Sequence, residues 1–99
     1  MVEHPESEWP PPVTSDMTAD EALEFVLAWL DTGPDAEMLS RSALTQMEPL
    51  VDWHGAQLED RLLSLIATRA DVRYVVRCCM FDDDPDGVAR RLDAAADSD

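Results

Sequence analysis

Apolar residues return at helical spacing in five stretches of this chain, and none of those stretches alternates as a half-buried strand does. The first begins after Thr18-Ala19-Asp20-Glu21, which reads as a capping box: threonine closes the helix start and glutamate reaches back from three residues on. A helix is predicted from there to about Asp31, stopped by Gly33 and Pro34. Ala22, Leu23, Val26, Leu27 and Leu30 form one stripe, while Phe25 and Trp29, four residues apart, stand on another side. A helix apolar on both sides is central or two-faced. Phe25 and Trp29 are accordingly candidate anchors for a partner, core packing being the competing reading.

Pro34 suits the first position of a second helix, with Asp35 and Glu37 in its acidic first turn. Ala36, Leu39, Ala43, Met47 and Leu50 supply its face, and Pro49 is expected to kink or end it. After a break expected at His54 and Gly55, Leu58, Leu62, Leu65 and Ile66 make a third helix to about Arg69. Val72, Val75, Val76, Cys79 and Met80 then follow at i, i+3, i+4, i+7 and i+8. Their types favour a strand, but no second strand is available to pair with one, so a fourth helix is predicted. Asp84-Pro85 starts a last one through Val88, Leu92 and Ala95. The expected fold is all-α: a compact bundle of four to five short helices, residues 18–96, with disordered acidic N- and C-terminal tails.

Residues 1–17 hold four prolines and apolar residues without a period, and are expected to be a disordered or polyproline-II arm; 97–99 are tail. Trp9 to Val13, with Pro10, Pro11 and Pro12, resembles segments that dock into aromatic grooves, although a full PxxP with a flanking arginine is missing.

Charge changes the picture more than chemistry does. The net charge is −15, from 22 acids against seven arginines and no lysine. Residues 1–60 are net −13, residues 61–80 net +3 and residues 81–99 net −5, so the positive island is confined to the third and fourth helices. Arg69, Arg73 and Arg77 fall at four-residue steps and form one stripe if helix continues through Asp71. That stripe is a candidate docking face for an acidic partner or a second copy, the plainer reading being ion pairs within the bundle. A surface this acidic repels nucleic acid and anionic membrane and attracts basic proteins.

No catalytic or metal set emerges. Asp82, Asp84, Asp86 and Gly87 imitate positions 1, 3, 5 and 6 of a calcium loop, but Ala89, Arg90 and Asp93 are wrong for positions 8, 9 and 12. Pro85 also cannot take the left-handed conformation that such a loop needs. An acidic helix cap explains the run, and no cofactor is expected. His54 lies near Asp52, Glu59 and Asp60 but lacks a nucleophile in a recognisable pattern. Cys78 has Arg77 beside it, yet small buried filler is the ordinary role of such a thiol, and of Cys79. Adjacent cysteines suit neither a disulfide nor a CxxC zinc site, and the start of the chain lacks a signal pattern, so a cytoplasmic location is expected.

The sequence thus leads to a small acidic non-enzymatic interaction module, a regulator, adaptor or assembly subunit. It would act through Phe25, Trp29 and the arginines on another protein, for which the acidic surface favours a basic one, or on a second copy. The alternative is a DNA mimic of mobile-element or phage type, whose carboxylates replace phosphates toward a nucleic-acid-binding protein.

Overall fold

The computed structural model of the chain describes residues 9–81 and 86–97. Five α segments occur there, and no strand: α1 (Ala19–Leu30), α2 (Ala36–Ser42), α3 (Glu48–Thr68), α4 (Ala70–Cys78) and α5 (Val88–Asp97). A π-helical turn, Ala43–Met47, joins α2 to α3 without a break, so the segments make four rods.

Local chemistry explains most of the ends. At α1 the Thr18 hydroxyl accepts the Glu21 amide at 3.2 Å, and the Glu21 carboxylate accepts the Thr18 amide at 3.1 Å, both halves of the capping box. Gly33 follows with φ +77, a left-handed residue just beyond the helix end, which a side chain would resist. The second helix is capped by Asp35, whose carboxylate accepts the Met38 amide at 3.0 Å; Pro34 precedes the cap instead of opening the helix.

Two predicted interruptions are absent. Pro49 neither ends nor breaks the rod, because the π turn before it absorbs the missing hydrogen bond. The Glu48 amide reaches back five residues to the Ala43 carbonyl, and Pro49 has no N–H to offer the Thr45 carbonyl four residues back. That carbonyl accepts the Val13 amide instead, at 3.1 Å. The extra residue in the turn also rotates the buried face: Met38, Ser42, Ala43, Gln46, Met47 and Leu50 are buried, while Ala36, expected on that face, is exposed.

His54 and Gly55 likewise lie inside α3. Gly55 is buried where α5 crosses: a Cβ built on it would stand 3.2 Å from Cγ1 of Val51 and 3.3 Å from Cγ1 of Val88. The glycine that looks like a helix breaker is therefore a close-approach point between α3 and α5.

The long α3 is the central element, packed on α1, α4 and α5. Leu58, Leu62 and Ile66 from α3 meet Leu23, Val26 and Leu30 of α1, Val72, Val75 and Val76 of α4 and Val88, Leu92 and Ala96 of α5 in one buried cluster. The α1 helix is not central: Leu27, Phe25 and Trp29 are only half-buried. The predicted α4 stripe loses its last member, because the chain turns extended at Cys79 (φ −71, ψ 146) and leaves Met80 74% exposed.

The inner part of the proline-rich segment is packed, unlike the solvated arm that its composition suggests. Val13 is 3% exposed within the main cluster and Pro10 is buried. Residues 1–8 and 98–99, and the run Asp82 to Pro85 with most of the calcium-loop-like acids, lie outside the described residues.

Candidate interaction surface

The arginines are drawn into the bundle. Helix stops at Arg69, whose extended backbone (φ −125, ψ 116) separates α3 from α4, so Arg69, Arg73 and Arg77 do not share one continuous helix. Arg69 grips Asp71 through two hydrogen bonds, Nε to Oδ1 at 3.1 Å and Nη2 to Oδ2 at 2.8 Å, and also reaches Asp31 beyond α1 at 2.9 Å. Arg77 pairs with Asp97 of α5 at 3.4 Å, and Nε of Arg73 is buried without a partner among the described residues. Arg61 joins Asp20 of α1 at 2.5 Å, and Arg91 forms a two-bond pair with Glu59 of α3. These contacts tie helices to one another; the plainer reading of the positive island accounts for Arg69 and Arg77.

The hydrogen bonds from Arg69 hold the Asp71 carboxyl below the usual aspartate range, against the opposing effect of burial. Asp71 therefore contributes stability that is complete above the ordinary aspartate pKa of about 4 and is lost as pH falls through the depressed value. We expect Asp71→Asn to cost about 1 kcal/mol at neutral pH. The gap to the parent should close in acid, as read by urea denaturation across a pH series. A gap that persists at low pH would mean the ion pair contributes nothing.

No nucleophile is set up around Cys79. Its single S–H lies within reach of two carbonyls, that of Val75 in α4 at 3.4 Å and that of Ala43 in the π turn at 3.7 Å. Burial first, and then the negative charge of Glu48, push the thiol above its ordinary pKa. It stays protonated, in a shallow recess bordered by Phe81, Ala89, Arg90 and Asp93. His54 is half-buried with Nε2 lacking a partner, and no His, Cys, Asp and Glu group suited to a metal occurs among the described residues. None of the described helices is long and apolar enough to cross a membrane.

What the surface does offer is apolar. Phe25 and Trp29 are half-buried against the core, whereas Leu44 is 64% and Met80 74% exposed. Both lie where the end of α4 meets the π turn. The Met80 amide donates to the Glu48 carboxylate at 3.2 Å, and Glu48 follows Leu44 by one turn on the same side of the rod. Asp52 comes one turn later. Two exposed apolar residues thus lie near Glu48, Leu44 one turn before it and Met80 through its amide. Sequence reasoning missed both, placing Met80 on an inner stripe and giving Leu44 no role. The only local signal was the proline at 49, which forces the turn that presents Leu44.

No family model, no curated protein and no solved structure matches this chain.

Proposed function

We propose that the chain is a small non-enzymatic interaction module that binds a basic partner protein through Leu44 and Met80. The observation that supports it is their exposure beside Glu48, on a chain of net charge −15 whose arginines largely pair with its own acids. Apolar side chains in an acidic frame suit an amphipathic segment with arginine or lysine at its rim: burial of Leu44 and Met80 supplies affinity, and the charges steer encounter. Phe25 and Trp29 then belong to the fold more than to the contact.

Leu44→Asp with Met80→Asp should abolish retention of the partner from a lysate of the source cell, at high salt as well as low. Loss on Phe25→Ala with Trp29→Ala instead would move the anchor to α1. The charge balance also favours a second reading, a DNA mimic. It predicts a nucleic-acid-binding partner that washes off with salt and ignores the Leu44 and Met80 changes.

A further inference from the structure

The inner end of the chain's proline-rich arm is seated against the π turn and the helix before it. Trp9 lies under the Arg41 guanidinium, 4.5 Å from its ring centre. The Pro11 carbonyl accepts Nε2 of Gln46 at 2.9 Å, and the Thr45 hydroxyl stands 3.4 Å from the Pro10 carbonyl and 3.2 Å from that of Arg41. The Val13 amide fills the Thr45 carbonyl that Pro49 leaves without a helical donor. Gln46 is fully buried, and its other end is held by the Ser42 hydroxyl at 2.6 Å, so both ends of the amide are engaged with the arm in place. The contacts are ones a proline-rich segment can offer: carbonyls that have no internal donor and, at one end, the arm's own tryptophan stacked on a cation.

The resident ligand carries the wrong charge. Residues 1–17 hold four acids and no lysine or arginine, and the rest of the chain is net −11. Repulsion therefore opposes the docked arm, and it would favour a proline-rich ligand with basic flanks. We propose that the groove along Arg41 to Gln46 binds, in place of the arm, a tryptophan-proline segment flanked by arginines on a partner protein. This rests on the reading of the chain as an interaction module, but it uses Arg41, Thr45 and Gln46 and not Leu44 and Met80.

The test uses the full chain labelled with ¹⁵N and follows the indole N–H signals of Trp9, Trp29 and Trp53, with Trp9 assigned by Trp9→Phe. The probe is a synthetic Trp-Pro-Pro-Pro-Val peptide flanked by arginines; its twin is flanked by glutamates. The arginine peptide should shift the Trp9 signal toward its position in an unfolded chain and leave Trp29 in place, while the glutamate twin does nothing at the same concentration. Trp9→Ala should tighten the arginine peptide about threefold, since it removes the stacking that holds the competitor. An unmoved Trp9 signal, or equal displacement by both peptides, would overturn the proposal. So would a Trp9 signal that changes merely on concentrating the protein, which would make a second copy the occupant. Shifts confined to Leu44 and Met80 would also overturn it while leaving the proposed function standing. Displacement of Trp9, with no cellular partner sensitive to Leu44→Asp and Met80→Asp, would separate the two in the other direction.

Discussion

Replacing Gly55 by leucine should cost about 3 kcal/mol, although glycine inside a helix is ordinarily a liability. A leucine gains about 0.8 kcal/mol of helix propensity. Against that, the Cβ alone already stands 3.2 Å from Val51 and 3.3 Å from Val88, both buried, and three further carbons have no space. The α5 helix must move away from α3, the most extensive contact it makes. For a domain of this size, such a loss is a large fraction of total stability. Urea denaturation should show a lower midpoint for Gly55→Leu and a nearly unchanged one for Gly55→Ala, where propensity and crowding offset each other. If both variants were more stable than the parent, α5 would not cross α3 at this residue.

Gln46→Ala should cost about 2 to 3 kcal/mol, through a cavity and the loss of the Pro11 and Ser42 hydrogen bonds in a fully buried place. It should also free the arm, read as proteolytic cleavage near Trp9 at a concentration of enzyme that spares the parent. Gln46→Glu separates the bond from the volume. It keeps the size, removes the Nε2 donor and sets a carboxylate in a buried site, which raises that group's pKa in the folded chain. Its destabilisation should therefore be largest at neutral pH and shrink as pH falls through the raised value and the group becomes neutral. A glutamate variant as stable as the parent at neutral pH would show that the site is wet and the arm loosely held.

Both predictions fall where the sequence was hardest to read. Pro49 and Gly55 are breakers by every local rule, yet the rod runs through them. What offsets the first is a hydrogen bond from Val13, and what requires the second is Val88. Each partner lies more than thirty residues away, beyond any local pattern. The arm shows the same limit. Three consecutive prolines without a hydrophobic period look solvated, and the partner of the Pro11 carbonyl is the buried amide of Gln46, itself polar and unremarked in the sequence.

What the sequence determined by itself is what depends on neighbours three or four residues apart. The Thr18 to Glu21 box fixes the start of α1, and the spacing of Val72, Val75 and Val76 makes α4 a helix against the preference of its residue types. The all-α class follows from such spacings, since each places apolar side chains on one face whatever the rest of the chain does. Tertiary structure decided which arginines remain for a partner, because Arg69 and Arg77 find Asp31 and Asp97 only once the helices are assembled. It also decided that Leu44 and Met80, more exposed than Trp53 and Tyr74, stand out to solvent while Phe25 and Trp29 are half-buried. Helical spacing says which residues share a face; what that face meets is set by packing between segments distant in the chain.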